Sequence, residues 1–549
     1  MSGAQTCSWR VCLTLLLLAT LAWFSILDYR KLIKPDEGRY AEIAREMAQS
    51  GDFVTPRLNG IKYFEKPPLQ YWATATAFRL FGEDEWSARL WSALTGCAGV
   101  LLAAWSATRL FGTAAGLSSG LVLGSSLWWV LLGHLNTLDM SFAFFLQASL
   151  SGFLLAQTAP RNSTMERNGM LAAWGAAALA VLSKGLAGLV LPGMVLVVYC
   201  LAQRDAQPLK RLHLARGLPL FLLLTAPWFL AVQNANPEFA RFFFIHEHFE
   251  RFLSTAHRRE QPVWYYLPVL AAALLPWSGI AIHAAAISWR AASAHAFNAR
   301  RFLLLWAILI FAFFSASGSK LPSYILPVLP ALALLAGDWL AGARHRTLIW
   351  HFAAVAAIAL IAAALFAAFG MQPGSVWHDE AHLNYAAWLA VALAIIVAAL
   401  ITAMAMLRQS RASAALAGVA LASLIGWGVV LQGHATLGRS TSAFYIAEQI
   451  KPLLRPGVPF YSVGTYEQTL PFYLDRTVTL VDYLDEFSFG LEQEPQHAIA
   501  DMAAFKARWM ADKEAFAMMT PERYKRLALE DFPMRIVASD PDRIIVAKP

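Results

Sequence analysis

LIWHFAAVAAIALIAAALFAAF, residues 348–369, is a run of 22 residues with no Asp, Glu, Lys or Arg. As a helix it rises about 33 Å, at roughly 1.5 Å per residue, which is enough to cross the hydrocarbon core of a bilayer. The same pattern recurs on both sides of it. Apolar runs at 11–27, 90–108, 114–132, 140–157, 170–182, 186–201, 217–232, 263–289, 302–314, 321–340, 385–407 and 412–431 bring the candidate spans to thirteen. Those at 170–182 and 302–314 are short and must borrow flanking residues, and Lys184-Gly185 divides the long run from 170 to 201. The run at 11–27 follows Arg10 and is followed by Asp28-Tyr29-Arg30-Lys31 rather than by a small-residue cleavage site, so it reads as an uncleaved first span.

Loop charge gives an independent test. With a cytoplasmic N-terminus, the loops expected inside carry Arg109; Arg161 and Arg167; Arg204, Lys210, Arg211 and Arg216; Arg290, Arg300 and Arg301; Arg344 and Arg346; Arg408 and Arg411. The short outside loops at 134–139 and 372–384 contain no Lys or Arg, and Lys184 and Lys320 are the two short-loop exceptions. Basic residues in short loops set orientation, and buried helices of a large soluble protein would not alternate in this way. Composition agrees: 58% hydrophobic and 15% charged residues, with 20 Trp, depart far from soluble domains. The net charge of +8 sits in these loops, with no basic stripe of the kind that binds nucleic acid. Cys7, Cys12, Cys97 and Cys200 lie in or beside apolar runs and form neither a disulfide framework nor zinc-type spacing.

Three outside segments are polar enough to matter: 28–89, 233–262 and the tail from 433. These divide the chain into a transmembrane domain over 1–432 and a small α/β domain over 433–549. In the tail, 458–463, 477–481 and 534–537 read as strands, and 498–510 and 521–527 as helices. In the first loop, Tyr40, Ile43, Ala44 and Met47 recur at helical spacing until Ser50-Gly51, giving an amphipathic helix suited to the membrane interface. Asp36 at its start reads as an N-cap, while the Asp, Glu and Arg gathered there also fit a lipid headgroup. Pro67-Pro68 interrupts any helix and holds Tyr63, Glu65 and Lys66 on an extended turn.

The run PDEGRYAEIAREMAQSGDFVTPRLNGIKYFEKPPLQYW (35–72) resembles the first periplasmic loop of the bacterial aminoarabinose transferases and their relatives. Those belong to the GT-C superfamily, with the protein O-mannosyltransferases. The resemblance continues at NTLDM (136–140), SKGLAGLVLP (183–192), FIHEHFERF (244–252) and SASGSKLPSYILPVLPALALL (315–335), in order along most of the membrane region. It implies a polytopic α-helical GT-C fold of about thirteen spans, with interfacial periplasmic helices beside the tail domain. The implied activity moves 4-amino-4-deoxy-L-arabinose from undecaprenyl phosphate to lipid A phosphates, at the periplasmic face of the bacterial inner membrane. Its consequence would be resistance to polymyxin and other cationic peptides.

By the same resemblance Asp36 and Asp139 match the acidic residues of the first and second outside loops. For Asp139 a helix N-cap is the competing reading. Breaking the donor's glycosidic bond leaves extra charge on the lipid phosphate, which Arg39, Lys66, Lys184 and Lys320 could meet, with Tyr63 and Tyr324 as hydroxyl donors. Snorkelling at helix ends is the plainer account of the two lysines. His246 and Glu65 could hold a divalent metal, zinc or manganese/magnesium, and an interfacial aromatic helix is the plainer account of the FIHEHFERF segment. Two rival functions stay open: transfer of another polyprenyl-linked sugar to protein or glycan, and sugar-lipid transport. Transport is disfavoured because ionisable groups gather at one face and no repeat appears.

Overall fold

The structure, a computed structural model, describes residues 20–250, 261–290, 297–370, 372 and 374–549, apart from the side chains of 246–250 and 378. It comprises two units. A helical unit takes Met1–Tyr29, Ser92–Pro227 and Phe249–Gly433, and a mixed unit takes Arg30–Trp91, Trp228–His248 and His434–Pro549.

Among the described residues, eight helices are long and apolar enough to cross a membrane, or ten if each of two bent pairs counts as one span. The helix over His345–Gly370 shows why water is the wrong solvent. Trp350, Ile358, Ile361 and Leu365 are each more than half exposed on it. Such a continuous apolar surface is tolerated in lipid and not on a soluble monomer. The helices Thr164–Lys184 and Ala187–Gln203 fall outside that count on composition or length, and most of the first expected span lies outside the described residues.

Two expected single spans are broken. The run at 114–132 forms Thr113–Ser125 and Leu127–Gly133, bent by 62° where Ser126 is extended. The run at 263–289 bends by 116° between Val263–Ala273 and Ser278–Ser288. Pro276 lies in that break and has no N–H to continue a helical ladder, a local signal that hydropathy averaging passes over.

One helical hairpin matters for the site. Leu138–Thr158 and Thr164–Lys184 are joined by five residues, so the start of the first and the end of the second lie at the same end. Ser163 caps the second helix by accepting from the Glu166 amide, and the Glu166 carboxylate accepts from the Asn162 amide. Glycines set the spacing between the two backbones. A Cβ on Gly152 would lie 2.8 Å from the carbonyl oxygen of Gly169.

In the mixed unit, α1 is Asp36–Ser50, followed by a two-strand ribbon of β1, Arg57–Leu58, and β2, Ile61–Lys62, paired antiparallel. α1 stops at Gly51, which takes a left-handed φ of 76° and returns its N–H to Met47. It is buried around most of its circumference, with Glu37, Glu42 and Arg45 covered as well as Ile43 and Met47. α2 follows at Leu69–Phe81, directly after Pro67-Pro68.

The tail builds a six-stranded sheet from β3, Phe460–Val463; β4, Thr479–Val481; β5, Ala498–Ile499; β6, Phe516–Met519; β7, Arg535–Ser539; and β8, Ile544–Ala547. Their order is β5-β4-β3-β6-β8-β7. The first four run parallel, and the β7–β8 hairpin closes one side antiparallel. Helices α3, Ser488–Gln493, α4, Met502–Ala511, and α5, Pro521–Leu529, connect them. The core sets Tyr461, Val463, Val481 and Val546 against Phe505 and Trp509 of α4. The expected strands at 458–463, 477–481 and 534–537 and both expected helices are present with shifted ends, residues 498–499 being strand rather than helix. Strands β6 and β8 were not expected. Phe-Ala-Met-Met at β6 lacks β-branched residues and is a strand because it is buried between β3 and β8.

Candidate active site

In the mixed unit, five of the residues singled out from sequence lie on α1 and on the turn after β2. Asp36 opens α1, but the cap is Pro35 without a side-chain hydrogen bond, so Asp36 is not the N-cap. Its carboxylate instead accepts from Arg39 Nη1 at 3.2 Å, one turn along. Arg39 also pairs through Nε with Glu486 of the tail at 2.6 Å, and Gln468 donates to the other oxygen of Glu486 at 2.8 Å. Burial pushes the Glu486 carboxyl up against the pull of Arg39.

The ribbon delivers the opposing residues. Tyr63 N–H bonds the Pro56 carbonyl at 3.0 Å, which extends the β1–β2 pairing by one rung before the chain turns at Glu65-Lys66-Pro67-Pro68. The Tyr63 ring is 2% exposed, and its hydroxyl has no hydrogen-bond partner among the described residues. Burial first, then the Glu65 carboxylate, pushes that hydroxyl well above its ordinary range, so it stays a proton donor. Lys66 donates to the Glu65 carbonyl at 2.8 Å, with the Glu65 carboxylate 4.0 Å from its ammonium. α1 and the turn after β2 thus offer a guanidinium beside a half-exposed carboxylate, a protonated phenol within its electrostatic reach, and an ammonium three residues after that phenol. That set suits a phosphate ester whose leaving oxygen gains charge.

Beneath it, Glu37 is held by both Arg30, at 2.6 Å, and Arg89, at 2.8 Å, all three side chains being almost fully buried. This ties the first turn of α1 to the segments on either side of it in sequence.

In the helical unit, Asp139 sits in the first turn of Leu138–Thr158, and Lys184 is the last residue of Thr164–Lys184. The cap of the first helix is Thr137, so the N-cap reading of Asp139 fails. Its carboxylate pairs with Lys184, and each group lies at the helix end whose dipole favours it. The Lys184 ammonium also lies over the Tyr324 ring, 4.3 Å from its centroid. Snorkelling does not describe Lys184, which is covered and paired. Lys320, 7% exposed, donates to the Ser317 carbonyl at 2.6 Å within its own polar turn.

The metal expectation rests on Glu65 and His246. The His246 side chain lies outside the described residues, and among the described residues no group of three or more His, Cys, Asp and Glu is gathered. The aromatic segment leading to His246 is described. Phe239 packs edge-on against Phe64, next to Glu65, with centroids 5.3 Å apart.

Glu486 and Gln468 of the tail, and Arg30 and Arg89 around Glu37, are polar residues that the sequence does not single out. Glu37 enters the sequence reading only within the Asp-Glu-Arg group at the start of α1, and not as a buried anion held by two arginines. The tail residues carry no local signal.

Helices long and apolar enough to cross a membrane, a small mixed sheet, and acid–cation pairs at the start of α1 and at one end of the helical hairpin describe a polytopic membrane protein whose charged groups suit a phosphate-bearing ligand. Residues 65–230 match the dolichyl-phosphate-mannose-protein mannosyltransferase family model, and 446–548 match the aminoarabinose transferase C-terminal domain. The solved ArnT from Cupriavidus metallidurans bound to undecaprenyl phosphate is 39% identical, covers 98% of each chain and superposes with a TM-score of 0.93. The chain belongs to the aminoarabinose transferase (ArnT) family. An undecaprenyl phosphate-α-4-amino-4-deoxy-L-arabinose arabinosyl transferase of Pseudomonas aeruginosa is 38% identical over 355 residues, 61% of this chain and 60% of that protein's length. The archaeal oligosaccharyltransferase AglB from Archaeoglobus fulgidus shares the fold at 13% identity and a TM-score of 0.53, over 96% of this chain and 71% of its own.

Proposed function

We propose that this protein transfers 4-amino-4-deoxy-L-arabinose from undecaprenyl phosphate to a phosphate group of lipid A, at the periplasmic face of the bacterial inner membrane. The observation that carries the reading is the Asp36–Arg39 pair facing a chain segment with Tyr63 and Lys66, in a family whose solved member from Cupriavidus metallidurans holds undecaprenyl phosphate. In this reading the sugar's anomeric carbon leaves the undecaprenyl phosphate oxygen and bonds to an oxygen of the lipid A phosphate. The released phosphate takes the bonding electron pair. Arg39, Lys66 and Tyr63 meet that charge, and Lys184, Lys320 and Tyr324 of the helical unit are phosphate-binding residues of the same proposal. An acceptor phosphate is already largely ionised near neutral pH. Asp36 therefore orients it or takes its remaining proton, and Asp139 holds Lys184 in place.

A divalent metal held by Glu65 and His246 belongs to the same proposal. Carboxylate and imidazole suit zinc or manganese, and carboxylate alone suits magnesium. Such a metal would tie the segment after β2 to the second long loop and draw the Glu65 charge away from the donor phosphate. Capping lipid A phosphates with an amine-bearing sugar lowers surface negative charge, so cationic peptides such as polymyxin bind less.

Mass spectrometry of lipid A from cells with and without this protein tests the reading. The expected result is an amino-pentose increment that depends on the chain and vanishes in Asp36→Asn while the variant stays folded. Unmodified lipid A with new sugar on a protein or glycan would move the reading to another transferase. A normal transfer rate in Asp36→Asn would remove that residue from the mechanism.

A further inference from the structure

One short tail segment touches both of the elements that carry the candidate site. At its start, Glu486 pairs with Arg39 of α1. At its end, Glu494 accepts from Arg57 Nη1 at 3.0 and 3.1 Å and from the Lys62 amide at 3.1 Å, gripping both strands of the ribbon. Between them runs α3. Its Gly490 lies so close to the ribbon that an added Cβ would meet the Lys62 carbonyl oxygen at 2.5 Å. Phe489 stacks on Phe242 with centroids 4.0 Å apart and lies 5.9 Å from the Phe64 ring.

The ribbon is fixed from two further directions. Asn59, at a left-handed φ of 56°, donates to the Val478 carbonyl and accepts from the Val478 amide, both at 2.7 Å. Glu46 of α1 accepts from the Gly60 amide at 2.9 Å.

Simple packing of a tail onto loops would need apolar contact and no more. Here two carboxylates eight residues apart are each committed to a different one of the two elements that bear Asp36–Arg39 and Tyr63–Lys66. Burial acts to raise the Glu494 carboxyl, but Arg57 and the Lys62 amide hold it below its ordinary value, so it stays an anion at neutral pH.

We propose that tail residues 486–494 act as a staple that sets the spacing between α1 and the segment after β2, with Glu494 and Gly490 as positioning residues for the transfer reaction. The staple rests on the proposed function for its catalytic consequence, while its mechanical part does not. Tyr63 is the rung that follows the stapled ribbon, so a shift at Lys62 is passed to it directly. A misplacement near 1 Å costs up to about 100-fold in rate.

The test uses the full chain in lipid nanodiscs, with Glu494→Gln to weaken the grip and Gly490→Ala to wedge the ribbon away. Amide hydrogen exchange over residues 57–66 is measured first. Turnover is then measured per binding-competent site, counted by bound undecaprenyl phosphate. The expected result is faster exchange in both variants, with turnover per site falling about 10- to 100-fold while the number of sites is kept. Unchanged exchange in both variants overturns the staple. So does a loss of activity that only follows the loss of sites, because that is what a merely structural tail would produce. Wild-type chain that binds undecaprenyl phosphate but transfers no sugar counts against the proposed function instead, and the exchange measurement then decides the staple.

Discussion

Replacing Glu37 by Gln should cost this protein about 3–5 kcal/mol of stability, the usual penalty for removing one partner from a buried ion cluster. The figure follows from the geometry. Glu37 accepts from Arg30 Nη1 at 2.6 Å, Arg89 Nε at 2.8 Å, Arg89 Nη2 at 3.2 Å and the Ile33 amide at 3.2 Å. The carboxyl side chain is 2% exposed, and its two arginine partners are 4% and 0% exposed. At an effective dielectric near 20, each charge pair at about 4 Å is worth roughly 4 kcal/mol before desolvation is subtracted. Gln keeps the shape but removes the negative charge that both guanidiniums share. The loss is read as a fall in unfolding free energy by urea in detergent micelles, followed by near-UV circular dichroism. A control replaces Arg30, Glu37 and Arg89 together by Met. Removing all three charges should cost far less than removing one, because no charge is then buried alone. A Glu37→Gln loss below about 1 kcal/mol, or a triple variant less stable than the single one, would refute the reasoning. Because Glu37 adjoins Asp36, the single variant should also lose transfer activity at temperatures where the chain is still folded.

Three further outcomes are expected. Asp139→Ala and Lys184→Ala should each destabilise the helical hairpin, but the double variant should fall short of their sum by about 1–3 kcal/mol, read from a double-mutant cycle of unfolding midpoints. Burial, then the neighbouring Glu42 carboxylate, pushes the Glu46 carboxyl up to about 8, so the folded chain prefers it protonated. Its contribution to stability is therefore complete below the ordinary carboxyl value and is lost as pH rises through about 8. Glu46→Gln should flatten stability over that window, and an unchanged pH profile would count against the assignment. Elemental analysis of purified protein should find one divalent metal per chain that Glu65→Ala or His246→Ala releases, and metal-free protein with chelator-insensitive activity would end that part of the proposal.

How much of this was legible beforehand differs by element. The apolar runs announced the spans because a bilayer imposes a length and a composition on every helix crossing it, whatever its neighbours. The pairing of Asp139 with Lys184 was within reach too. Two helices of similar length joined by a short loop must bring the start of one to the end of the other. Asp36, Arg39, Tyr63 and Lys66 stood out by family resemblance, the first two on α1 and the last two on the segment that follows the ribbon.

Tertiary structure alone decided the rest. Glu486 and Glu494 lie more than 400 residues from the groups they grip, and nothing in their local sequence marks an acid that will be buried against Arg39 or Arg57. Strand β6 exists because β3 and β8 flank it, not because Phe-Ala-Met-Met favours a strand. Hydropathy is a property of single residues summed along a chain, so the long apolar helices could be read from sequence. Burial of charge depends on which distant partner arrives, so the site's geometry could not.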